Sequence, residues 1–176
     1  MLMKKLFIAF VLTLSLIGGF TVGTAFELVY EASTFHPIHW NKKPILVNCY
    51  GEDLPVGRVK NAISFWKNYG FHFERYVHRP LDKFCDMNFA KGYVVIKRDS
   101  GKYISSDDNR TLAATKRNYS AFIITSAEIH MKFGTHDLEK LLEHEIGHAL
   151  GMGHTDIPNH IMNPVLENMS LIYWDP

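Results

Sequence analysis

The chain has 176 residues, 47% of them apolar and 13% aromatic. That is the length of one domain with enough apolar content for a core, which excludes a disordered chain. Lys plus Arg number 19 against 18 Asp plus Glu, so no charge excess points to a nucleic acid or an acidic polymer as partner.

The N-terminus reads as an export signal. Lys4 and Lys5 precede the apolar run Leu6–Ile17, and Gly23 and Ala25 stand where small residues precede a signal-peptidase cut. The expectation is a signal peptide over residues 1–25, a mature chain of residues 26–176 starting near Phe26, and a secreted, extracellular protein. The alternative is an uncleaved membrane anchor, because mild apolarity continues through Gly18–Val22. A spanning helix needs roughly 20 apolar residues, more than the run supplies. Loss of residues 1–25 removes two lysines and no acid, leaving the charge near neutral.

Pro44–Gly51 alternates Ile45, Val47 and Cys49 against Leu46, Asn48 and Tyr50, a strand pattern. Asp53 and Pro55 signal a helix start. Val56, Val59, Ile63 and Trp66, with Ala62 and Tyr69, form an apolar helical stripe. Arg58, Lys60, Ser64, Lys67 and Asn68 take the opposite face, and Gly70 can end the helix. Phe71–Val77 and Tyr93–Lys97 read as strands, and residues 98–110 as a polar surface loop. Thr111–Thr115 reads as a short edge strand and Ser120–His130 as a longer one. A last helix is expected from about Thr135 to Leu150, capped by Thr135 with Asp137 and Glu139 at its positive end. Leu138, Leu141, Leu142, Ile146 and Ala149 give it a broad buried face. This order implies a mixed sheet with helices packed on it.

The chemistry concentrates in His144–His154, HEIGHALGMGH. On a helix His144 and His148 lie about 40° apart on one face and about 6 Å apart along the axis. Two imidazoles so placed can meet one zinc ion. Gly151 can stop the helix in the left-handed region, so that His154 returns to the same ion. Three histidines leave a tetrahedral fourth position for water, the mark of a catalytic zinc. Glu145 points to an adjacent side of the helix, where it can act as general base and then as general acid.

The five fixed positions match HExxHxxGxxH, and on them the chain resembles the metzincin metallopeptidases, most closely the matrixin branch. Metzincins carry a methionine turn beneath the zinc, and Met162, followed by Asn163 and Pro164, is similar to the matrixin form of it. Leu112–Thr115 (LAAT) resembles the matrixin edge strand, to which an extended substrate adds antiparallel, and Ser126–His130 resembles the strand after it. The resemblance covers most of residues 44–166. It implies an α+β fold, a twisted mixed five-stranded sheet with two main helices; the very short C-terminal subdomain expected here is a departure from the family. It further implies a monomeric zinc endopeptidase acting on protein or peptide substrates, with Leu112, Ala113 and Ala114 on one side of the substrate and Pro164, Val165 and Leu166 forming the main specificity-pocket wall.

Several family features have no match. Many matrixins place a histidine of a second, structural zinc where Ala114 stands; His130 fits another position of that site but has too few partners, so one zinc is expected. Asp107 and Asp108 suit a calcium loop, but the glycines do not, and a solvated acidic loop is favoured over calcium. Nothing in residues 26–44 resembles the inhibitory cysteine segment, and the stretch after Pro164 leaves no room for the usual C-terminal helix. Tyr173 and Trp174 could pack beneath the short lower lobe; a role for Tyr173 as an extra ligand lacks support. His36, His39, His72, His78, His136 and His160 show no ligand spacing. Cys49 and Cys85 can form a disulfide in an oxidising compartment, or remain packed thiols. The other functional class is a catalytically silent zinc module that binds a peptide or a surface; Glu145 argues against it, since a binder needs no base there.

Overall fold

The computed structural model describes residues 38–78, 82–105, 107–108 and 110–173. The expected signal segment, His36 and Trp174 lie outside the described residues. Among the described residues no helix is long and apolar enough to cross a membrane.

The elements in chain order are β1 (His39–Trp40), β2 (Ile45–Asn48), α1 (Val56–Asn68), β3 (Arg75–His78), α2 (Asp82–Cys85), β4 (Tyr93–Arg98), β5 (Ala113–Ser120), β6 (Ile123–Met131) and α3 (Leu141–Leu150), followed by a 3-10 turn at Leu166–Asn168. Strands β3, β2, β4 and β6 are parallel neighbours, and β5 runs antiparallel along β6. These are the five expected strands. A sixth, the two-residue β1, pairs parallel with Ile123 and Ile124 at the start of β6.

Alternation along the strands sorts the two faces. Leu46, Val94, Ile96, Ala127, Ile129 and Met131 share one face, and α1 and α3 cover it with Val59, Ala62, Trp66, Leu142, Ile146 and Ala149. On the other face Glu128 is fully buried, its Oε1 accepting from Lys97 Nζ (2.8 Å) and Phe89 N (2.9 Å) and its Oε2 facing His130 Nε2 (3.1 Å). A buried carboxylate is tolerated because each oxygen has a partner. Cys49 and Cys85 are joined, with 5.6 Å between their Cα atoms, tying the end of β2 to α2.

Helix α1 begins where the sequence signals it. Its cap position is Pro55, whose carbonyl accepts from Arg58 and Val59. Gly70, at φ 87°, ends it by donating to Lys67 O. Three elements differ from expectation. Strand β3 is confined to Arg75–His78, because Phe71 and Phe73 turn back onto the core and Phe71 N closes on Trp66 O. Strand β5 runs on to Ser120; its outer positions are exposed, so Lys116, Arg117 and Asn118 look like loop residues in sequence while pairing with Glu128, Ala127 and Ser126. Helix α3 starts at Leu141, not Thr135. Residues 135–140 form turns, Lys140 sits at φ 72°, and the Thr135 hydroxyl reaches Lys132 O and Leu112 O instead of capping a helix. The polar face expected for α1 is also broken: Arg58 reaches across to Glu143 on α3.

The described segment after α3 is built by backbone pairing. Asn159 N donates to Asn168 O and Ile161 N to Ile172 O. Tyr173 is buried, its ring within 6 Å of the rings of Trp66, Tyr69, Phe71 and His160. It underlies the lower lobe and is not one of the three clustered potential ligands.

Candidate metal centre and active site

Helix α3 is buried along nearly its whole length, which brings polar side chains into the interior with it. His144 and Glu145 are 4% and 5% exposed, whereas His154 lies open on the solvent side. The helix ends at Gly151, φ 120°, where Gly151 N donates to His148 O and Met152 N to Gly147 O. This pair of bonds is a Schellman ending. A β-carbon at Gly151 would also run into Ile38 O. The reversal it permits brings His154 back over the helix.

The three imidazoles converge. His154 Nε2 lies 3.3 Å from His144 Nε2 and 3.0 Å from His148 Nε2, and one ring nitrogen from each residue fits within 4.8 Å of the others. Zinc–nitrogen bonds of 2.0–2.1 Å in a tetrahedron give nitrogen–nitrogen edges of about 3.3 Å. The opposite ring nitrogens set the tautomer. His144 Nδ1 lies 2.8 Å from Ile161 O, and His148 Nδ1 lies 3.0 Å from Met152 O. A carbonyl accepts only from N–H, so each Nε2 carries a lone pair. Lone pairs facing one another at this range are satisfied by a shared cation, and the donor set fits zinc. Burial lowers His144 to about 4 and His148 to about 3, the latter helped by His144 beside it; both are neutral and ready to bind near pH 7.

Glu145 stands beside this centre. Burial raises its carboxyl to about 7, opposed by the Thr115 hydroxyl. A carboxyl poised there can both take and return a proton near neutral pH.

Met162 is 1% exposed and lies directly beneath the helix: a β-carbon at Gly147 would collide with its sulfur and stand 2.7 Å from Trp66 Cζ2. The turn that carries it is held by Thr155 N to Met162 O, Met162 N to His160 Nδ1 and Asn163 Nδ2 to Ile157 O. His160, read as an isolated histidine, is thus fully buried as a brace of this turn.

A cleft of about 660 Å³ opens over the centre. Leu112 and Ala113 line one side and Pro164, Val165 and Leu166 the other, with His144, Glu145 and His154 between them. Ala114 faces a smaller hollow of about 300 Å³ beside Thr115, Arg117, Glu145 and His148. Strand β5 pairs with β6 alone, so no described strand covers its outer edge. In the preceding loop the Asp108 carboxyl, held down at about 2 by the Thr111 side chain and the Arg110 and Thr111 amides, serves the turn itself. The histidine triad is the one group of three or more His, Cys, Asp or Glu among the described residues that could hold a metal ion.

Sequence reading missed Gly147, Thr115 and Arg117. A glycine in a helix interior is a legible signal of close packing. The two strand residues carry no local signal, since their partners lie on another element.

No curated protein matches the chain. The family model for matrixins matches residues 58–172, from the first helix through the methionine turn, and the chain belongs to the matrixin family of peptidases.

Proposed function

We propose that the chain is a secreted zinc endopeptidase that takes an extended protein or peptide substrate and acts as a monomer. The observation that carries this reading is the convergence of His144, His148 and His154 beside the buried carboxyl of Glu145. When bound, zinc supplies a Lewis acid that polarises a carbonyl and makes a water acidic near neutral pH.

The chain's own residues do the rest. His144, His148 and His154 hold the ion, with Ile161 O and Met152 O fixing two of the rings. Met162 supports the helix from below. Glu145 takes a proton from the attacking water and delivers it to the leaving amine. The substrate adds along Leu112 and the first residues of β5, Ala113 and Ala114, and one of its side chains enters the cleft against Pro164, Val165 and Leu166. Residues 1–25 direct export and are then cleaved.

The test is cleavage of a broad peptide library by residues 26–176 with zinc, against Glu145→Gln. The wild type should cleave, and the variant should lose about 10²–10⁴ in rate. Equal inertness of both proteins, each binding one zinc, would favour a silent zinc-containing binding module. N-terminal sequencing of the exported protein tests the signal: an intact Met1 would count for a membrane anchor.

A further inference from the structure

Strand β5 reaches the catalytic helix with two alternate side chains. Arg117 Nη1 donates to His148 O at 2.9 Å and approaches Met152 O at 3.4 Å. Thr115 Oγ1 lies 2.5 Å from Glu145 Oε2 and 3.1 Å from the Glu145 carbonyl oxygen. A hydroxyl has one proton, and the shorter, charge-assisted contact takes it.

We infer that Thr115 is a positioning residue for Glu145: its hydroxyl fixes the carboxylate from the substrate strand and leaves Oε1 as the atom that exchanges protons with the substrate. The inference rests on the peptidase reading and deepens it.

A glutamate side chain has three rotatable bonds, and a general base works only when its oxygen is aimed at the proton it takes. Glu145 is 5% exposed, so little water competes to hold its oxygens. With Oε2 already accepting from Thr115, the incoming proton goes to Oε1. Water gives one proton to Oε1 while its oxygen bonds to the scissile carbonyl carbon. The C–N bond then breaks as the Oε1 proton passes to the amine nitrogen. The Thr115–Oε2 bond persists through both transfers. Because Thr115 belongs to the strand whose outer edge no described strand covers, substrate pairing and base orientation share one element.

Two measurements on the zinc-loaded protein test this. The first is a double-mutant cycle of Thr115→Val and Glu145→Ala, read as urea unfolding at fixed free zinc, with zinc content checked in every variant. In the Glu145→Ala background the freed hydroxyl proton can turn to the carbonyl, so the coupling read is a lower bound on the contact between Thr115 and the carboxylate. The two changes should couple by about tenfold or more in the unfolding equilibrium; additive changes would overturn the inference. The second is kinetic. Thr115→Val should lower kcat about tenfold or more with KM within about twofold, and Thr115→Ser should recover most of it. A Ser variant as impaired as the Val variant, or a loss carried by KM, would overturn it as well. The cycle reads the contact without turnover, so if the wild type proves inert the peptidase reading fails and the cycle alone decides the role of Thr115.

Discussion

The Arg58 guanidinium meets the Glu143 carboxylate with both nitrogens, Nη1–Oε1 at 2.5 Å and Nη2–Oε2 at 2.6 Å, one residue before His144 of the histidine triad. The two side chains are only 18% and 5% exposed. The same glutamate's carbonyl accepts from Trp66 Nε1 at 2.8 Å, so α1 grips α3 through one residue. Truncating one member of a buried pair leaves the other charge uncompensated. Arg58→Ala should therefore cost about 3 kcal/mol in urea unfolding at neutral pH. A loss under about 1 kcal/mol, typical of an exposed pair, would show that the contact does not hold the helices together.

Gly147 reverses the usual sign of a helical glycine substitution. In an open helix Gly→Ala stabilises by up to about 1 kcal/mol. Here the added carbon would strike the Met162 sulfur and the Trp66 ring. Both side chains are fully buried and cannot step aside into solvent. Gly147→Ala should destabilise by about 1–3 kcal/mol, the usual cost of overpacking, and weaken zinc retention because the methionine turn carries Ile161 O to His144. Unfolding curves and zinc content against a competing chelator check this. A stabilised variant that keeps its zinc would show that the turn is not pressed against the helix.

What was legible in the sequence follows from how far each partner lies along the chain. The His144–His148 spacing, Gly151 and His154 are local: helix geometry puts the first two on one face, and the glycine reversal returns His154 to them. Val59, Ala62 and Trp66 obey the helical period and are buried as expected. Arg58 obeys the same period from the polar side, and nothing near it in sequence reveals that its partner is Glu143. Thr115 and Arg117 fail for the same reason. The start of α3 is a different case: Thr135, Asp137 and Glu139 have the chemistry of a helix start, but the hydroxyl of Thr135 is taken by Lys132 O and Leu112 O, and the helix begins after Lys140.

The Cys49–Cys85 bridge spans 36 residues and encloses α1 and β3. Closing a loop of that length in the unfolded chain is worth about 4 kcal/mol in the chain-entropy picture. The paired change Cys49→Ala with Cys85→Ala should lower stability by about 2–4 kcal/mol. The histidine triad lies outside the loop, so zinc stoichiometry of the folded variant should stay at one. Unfolding midpoints with and without reductant test it: a wild type whose midpoint ignores a reductant that demonstrably opens the bridge would contradict the expectation.

Glu145 gives the folding equilibrium of the metal-free protein a pH dependence of definite sign. Its carboxyl is raised from 4.5 to about 7 by burial. Below pH 4.5 folded and unfolded chains both hold the proton, and the group costs nothing. Between 4.5 and 7 the unfolded chain has lost a proton that the folded one keeps, so the group progressively opposes folding. Above 7 the full penalty applies, about 3 kcal/mol for a shift of this size. Two histidines of the triad act at the other end: with His144 lowered to about 4 and His148 to about 3, their burial opposes folding as pH falls below 6.5 and does so fully only below 3. Glu145→Gln removes the first effect and leaves the second. In a zinc chelator, the variant should exceed wild type by up to about 3 kcal/mol at pH 8 and by less than about 1 kcal/mol at pH 5. Chemical unfolding of both proteins at the two pH values measures the difference. A gap that stays constant from pH 5 to pH 8 would place the Glu145 carboxyl in contact with water, and it would then lack the environment that suits it to act as the base.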